Sequence, residues 1–168
     1  DANGTGYASF TFQVQDDGGT LNGGIDLDQS PNTITVNVTA VNDAPSGTNK
    51  TVTTLEDTAY TFTTADFGYS DPIDGASASG ANALANVKIS TLPGAGGLTN
   101  NGVAVNANDL ISITDINAGK LKYTPAADAN GTGYASFTFQ VQDDGGTLNG
   151  GIDLDQSPNT ITVNVTAV

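Results

Sequence analysis

Apolar and polar residues alternate with a period of two along the last third of the chain. Ala135, Phe137, Phe139 and Val141 interleave with Ser136, Thr138 and Gln140, and Ile161, Val163, Val165 and Ala167 interleave with Thr160, Thr162, Asn164 and Thr166. A period of two puts one set on each face of an extended segment, so both runs are predicted to be half-buried strands. Between them, residues 143–159 hold Gly145, Gly146, Gly150, Gly151 and Pro158 and read as a long hairpin loop. Further strands are expected near residues 51–54, 59–63, 86–90, 102–105, 110–113 and 120–124, which makes about eight. Residues 80–85 are the one helix-compatible stretch, short and bounded by glycine. The spacing and the Gly/Pro punctuation match an all-β, Greek-key β-sandwich. Its expected interior is Tyr60, Phe62, Phe67, Val87, Ile89, Leu98, Ile113, Leu121, Tyr123, Phe137 and Phe139.

The same terminal hairpin occurs twice. Residues 1–41 and residues 128–168 are identical at every position, so the copies start at 1 and 128 and the period is 127 residues. A period of that size points to whole domains strung in tandem rather than to a solenoid of small units. The natural break follows Val41, where a strand pattern runs into Asn42-Asp43-Ala44-Pro45 and the proline ends it. Residues 42–168 are then one complete repeat, and residues 1–41 are the C-terminal hairpin of a preceding copy.

Composition narrows the chemistry. The net charge is −14 with four basic residues, all Lys, so nucleic acid and anionic membranes would be repelled. Cys and His are absent, which removes thiolate and imidazole metal sites, Cys nucleophiles and Ser-His triads. A secreted bacterial protein that holds together without disulfides fits such a chain. No apolar run of about 20 residues is present, so membrane insertion is not expected and an address would lie elsewhere in a parent protein. Of the 18 acidic residues only Glu56 is Glu; most Asp lie in turns rich in Gly, Asn or Ser, where short carboxylates could gather around a hard cation.

Five segments now stand in a fixed order: VNDAP at 41–45, LEDT at 55–58, DFGYSDPIDG at 66–75, AGKLKYTP at 118–125 and QVQDDGG at 140–146. Together they resemble the bacterial cadherin-like repeats, the VCBS-type and related Ig-like modules of giant RTX adhesins. The resemblance spans the whole 127-residue unit. It implies an Ig-like (cadherin-like) sandwich repeated as the stalk of a secreted or cell-surface adhesin, with Ca²⁺ stiffening the joints between neighbouring identical repeats. Where many relatives have an acidic residue, this chain has Ile73.

Strand direction then distributes the carboxylates. If the first strand of the repeat runs away from the joint, Glu56 and Asp57 fall at the far pole, and the return strand brings Asp66, Asp71 and Asp74 beside the joint. Asp143 and Asp144 end their strand on that same side, near Asn42 and Asp43, and oxygens from these separate loops could enclose Ca²⁺. Asp16 and Asp17 are the copies of Asp143 and Asp144 in the partial repeat. Asp128 and Asn130 begin half of an EF-type loop, but its twelfth position is Phe139 rather than Glu, so it reads as a tight turn or as a helper of Glu56 at the next joint. Asp1 and Asn3, its first copy, would face the joint present here. Asp153 and Asp155 form an i, i+2 pair open to a metal or a structural role. Against all of these stands the simple preference of Asp and Asn for turns.

No acid/base pair can be placed, so an enzyme is not expected. A structural spacer is the first reading, and a repeat that itself binds a glycan, ice or a protein ligand is the second. The outward row Thr33, Thr35, Asn37 and Thr39 reads as a solvated face. The duplicated hairpin also opens head-to-tail self-association by exchange between chains.

Overall fold

The computed structural model describes residues 2–168. Residues 42–168 are mostly β, with two sheets closing on one core. Strands β3 (Lys50–Leu55), β5 (Leu84–Ile89), β8 (Leu110–Ser112), β10 (Gly131–Asp143) and β11 (Asn159–Thr166) form one sheet in the order β3-β11-β10-β5-β8. Strands β4 (Tyr60–Thr61), β6 (Gly97–Asn100), β7 (Val103–Ala104) and β9 (Leu121–Thr124) form the other, ordered β4-β9-β6-β7. All pairings are antiparallel except that of β3 with β11, where Val52 lies beside Val163. Residues 4–38 form a separate two-stranded sheet from β1 (Gly4–Phe12) and β2 (Asn32–Val38).

The alternating pattern decides which side chains meet. Phe137, Phe139 and Val141 from β10, and Ile161 and Val163 from β11, point at Leu98, Leu121 and Tyr123 of the opposite sheet, and all are buried. Phe62 stands edge-on to Phe137 with ring centroids 5.6 Å apart, and Phe67 edge-on to Phe139 at 5.0 Å. Offset and edge contacts of this kind add about 0.5–1.5 kcal/mol each beyond area burial.

Several expectations shift. β6 had no clear alternation in sequence and was not foreseen, since Leu98 is its single buried apolar residue. Residues 80–83 are irregular rather than helical. Short helical turns occur instead at α1 (Pro72–Gly75), with proline in its first turn, and at α2 (Ile113–Asn117), capped by the Ser112 side chain accepting from the Asp115 N–H. Because α2 interrupts the strand pattern, Ile111 and Ile116 are buried and Ile113 is only partly so.

Candidate metal centre at the joint

Residues 42–48 cross the pole of the sandwich where β10 ends, and they are fastened there by their own polar groups. The Asn42 carboxamide donates to Asp143 Oδ1 (3.0 Å), Gly146 O (3.1 Å) and Ile152 O (2.9 Å), while the Asn42 main-chain carbonyl accepts from Ile152 N (2.9 Å). Asp43 N donates to Asp74 Oδ2 at 2.8 Å, and Ser46 pairs with Ser70 by backbone bonds in both directions. Gly145 is required at its position: a Cβ there would overlap the Asn42 side chain.

This fastening gathers the acids expected at the near pole. Asp71, Asp74 and Asp143 are buried, while Asp43 is half-buried and Asp144 exposed. Asp71 Oδ2 accepts from Asn82 N (2.6 Å), and Asp74 Oδ2 accepts from Asp43 N and from the Asn82 carboxamide (3.3 Å). Asp144 Oδ1 accepts from Ala83 N at 2.7 Å, and Asp143 Oδ1 accepts from Gly145 N at 2.9 Å. Two oxygens are left over: Asp71 Oδ1 and Asp143 Oδ2 are buried and have no hydrogen-bond partner. Among the described residues, no three acidic side chains stand together so that they could hold a metal ion.

The electrostatics register the crowding. Burial raises the Asp143 carboxyl above the ordinary carboxylate range, and the negative charges of Asp71 and Asp153 add to it, against the pull of the Gly145 and Asn42 donors. The Tyr69 phenol, which donates to Asn82 O at 2.6 Å, is pushed up by burial first and then by Asp71, Asp143, Asp144 and Asp74. One tyrosine therefore senses four carboxylates. Neither Asn82 nor Tyr69 was singled out from sequence, since nothing in their local pattern reveals that they face a loop so distant in the chain.

The remaining expected positions divide. At the far pole, Asn130 donates to Glu56 Oε2 (2.9 Å), Asp128 N to Asp57 Oδ1 (3.1 Å) and Val168 N to Glu56 Oε1 (2.9 Å). Backbone and carboxamide donors hold the Glu56 carboxyl low. Asn3 lines a cleft of about 230 Å³ with Ala2, Thr39, Ala40, Val41 and Asp43, while Asp1, the other residue expected there, lies outside the described residues.

Three expectations need correction. Asp66 turns away from the joint, accepting from Lys50 Nζ (2.7 Å), Thr63 N (2.8 Å) and Tyr60 Oη (3.2 Å). Asp153 and Asp155 do not act as a pair. Asp155 is buried with both oxygens filled by Gly47 N, Ser157 N and the Asn159 carboxamide, whereas Asp153 accepts from Gln142 beside Asp143. Asp16 and Asp17 are exposed, and the Asp16 carboxylate accepts from Gly18 N within its own turn.

Among the described residues no helix is long and apolar enough to cross a membrane. No family model, no curated protein and no solved structure matches the chain.

Proposed function

We propose that this chain is an extender repeat of a large bacterial surface adhesin or extracellular filament, of the cadherin-like kind, whose joints are stiffened by Ca²⁺. The observation that carries the reading is the pair of buried, unpartnered carboxylate oxygens, Asp71 Oδ1 and Asp143 Oδ2, beside the segment that joins one repeat to the next. A buried carboxylate oxygen without a partner is costly, and two in one negative field are more so. Hard divalent cations accept such all-oxygen surroundings, so the donor set fits Ca²⁺. Asp71 and Asp143 would hold it through these two oxygens, and the negative charges of Asp74, Asp43 and Asp144 would favour it. When bound, Ca²⁺ supplies the positive charge that cancels their repulsion.

The architecture supports the spacer reading. An Ig-like Greek key is favoured by the parallel neighbourhood of β3 and β11, the first and last strands of the repeat. That pairing sends the chain out at the pole opposite its entry. Val168 lies with Glu56, whereas Asn42 lies with Asp143, at the other end of the 13-residue β10. Repeats joined this way run end to end, each adding roughly 40 Å along the strand direction.

A calorimetric melt tests the proposal. In millimolar Ca²⁺ the transition is expected several degrees above that in EGTA, since a ligand at a hundred times its Kd adds about 2.7 kcal/mol. Superimposable melts would sink it.

A further inference from the structure

Asn101 and Gly102 form the tip of the hairpin between β6 and β7. Asn100 pairs with Val103 across them, and both tip residues have positive φ, 52° and 78°. A two-residue turn of that kind leaves the N–H of its second residue outside the ladder. Gly102 N accordingly donates to no backbone group among the described residues, and both residues are exposed. They line a cleft of about 280 Å³ with Thr99, Gly119, Lys120 and Lys122. Two of the four lysines in a chain of net charge −14 therefore meet at this tip. Lys120 is paired with Asp115 at 2.7 Å, while Lys122 has no ion-pair partner among the described residues. On the other side of Asn101, the Asp109 carboxylate is engaged by Asn106 N at 2.7 Å.

We propose that Asn101-Gly102 is a site of spontaneous covalent modification, at which the Asn101 carboxamide becomes aspartate or isoaspartate. Gly102 N gives its proton to water or hydroxide and attacks Asn101 Cγ. The new C–N bond closes a cyclic imide, the Cγ–Nδ2 bond breaks, and ammonia leaves with a proton taken from water. Water then opens the imide at either carbonyl, giving aspartate in the ordinary linkage or isoaspartate in the β-linkage. Water is consumed and ammonia released, and nothing is oxidised or reduced.

The tip favours this step in three ways. Gly102 has no side chain to block the approach of its nitrogen, and the space where one would lie is open. β7 is a two-residue edge strand with Val103 70% exposed, so little packing resists the opening of the turn that attack requires. The Lys122 ammonium stabilises the negative charge that develops on the attacking nitrogen and on the intermediate.

The other Asn-Gly pairs of residues 42–168 lack this combination. The Asn130 carboxamide is committed to Glu56 Oε2, and the charges of Glu56, Asp57 and Asp128 oppose an anion there. Asn149 lies in a turn closed by Gly151 N on Leu148 O at 3.0 Å, with Gly151 buried against Asn42. The chemistry is independent of any metal and of the part the chain plays in a larger protein.

Peptide mass spectrometry tests it, on the folded chain held for days at mildly alkaline pH below its melting transition. A digest of the fresh chain sets the background, and electron-transfer fragmentation separates isoaspartate from aspartate. Cleavage after lysine puts Asn101 in residues 89–120, and Asn130 and Asn149 in residues 123–168. Amide loss at Asn101 is expected several-fold faster than at the other two, and in denaturant the three rates should converge. Lys122→Gln should slow the Asn101 reaction about twofold, the effect of one screened charge. Equal folded-state rates at the three sites, a faster loss at Asn130 or Asn149, or an Asn101 rate that Lys122→Gln leaves unchanged overturns the proposal.

Discussion

Asp71, just before α1, and Asp143, at the end of β10, each bury one carboxylate oxygen that no donor reaches, and the charge of Asp71 helps raise the Asp143 carboxyl. Their other oxygens are held by Asn82 N, Asn42 and Gly145 N. The joint is therefore organised but electrostatically unfinished, and this makes Asp143 the most informative position to change.

Asp143→Asn removes a negative charge from a crowded, desolvated place while keeping the side-chain shape. In EGTA the variant is expected to melt at or above the wild-type temperature. In Ca²⁺ it should lose most of the metal-dependent rise. Paired calorimetric scans check both, and an unchanged Ca²⁺ increment in the variant contradicts the assignment.

The pH dependence follows from the same group. Its folded-state pKa lies above the unfolded value, so the native state binds the proton more tightly, and the stability it contributes is present below the ordinary carboxylate pKa and lost as pH rises through the raised value. Without metal, this group makes the joint firmer toward pH 4 than at pH 7. With metal the sign reverses, because protons compete for the same oxygen. Calorimetric titration of Ca²⁺ at descending pH should show the affinity falling as Asp143 protonates.

Asp66 behaves in the opposite way. Burial raises its carboxyl, but Lys50 and the Thr63 donors outweigh burial and hold it below the ordinary value. Its contribution is therefore present above that value and lost as pH falls through the lowered one. Lys50→Met leaves a buried carboxylate with only Thr63 and Tyr60, and should cost about 1–2 kcal/mol, the Lys being partly exposed. Chemical denaturation at pH 7 measures it.

Gly145→Ala places a methyl group against the Asn42 side chain. Overpacking of this kind costs about 1–3 kcal/mol, and here it should also weaken the bonds from Asn42 to Asp143, Gly146 and Ile152. Hydrogen exchange at Ile152 N, which donates to Asn42 O, should rise. Gly18→Ala, the same change in the first copy, has no Asn42 counterpart beside it and should leave stability within about 0.5 kcal/mol.

Phe137→Ala and Phe10→Ala make the same change in the same local sequence. The first empties a site in the core and is expected to cost about 3–5 kcal/mol. The second changes a residue that is largely solvent-exposed and should cost almost nothing. Urea denaturation of the two variants reads the difference directly.

Much of this was legible in the order of residues. The period-two runs predict β10 and β11, and both strands form over those residues. Strand direction was enough to send Glu56 and Asp57 to one pole and Asp71, Asp74 and Asp143 to the other, because a strand's length separates its ends whatever its partners are. β6 was not legible, since a four-residue strand with one buried side chain has no period to read, and α2 was hidden because Ile111, Ile113 and Ile116 satisfy neither period cleanly.

Phe10 and Phe137 mark the boundary between what sequence determines and what it does not. Identical residues with identical neighbours make the same hairpin in the same register, because strand pairing and turns are set locally by alternation and glycine. Only tertiary structure buries one and leaves the other in solvent, and only tertiary structure turns Asp155 toward Gly47 N and Asn159 while leaving an oxygen of Asp143 without a partner. Burial and hydrogen-bond satisfaction depend on what arrives from distant parts of the chain, and a local pattern carries no record of that.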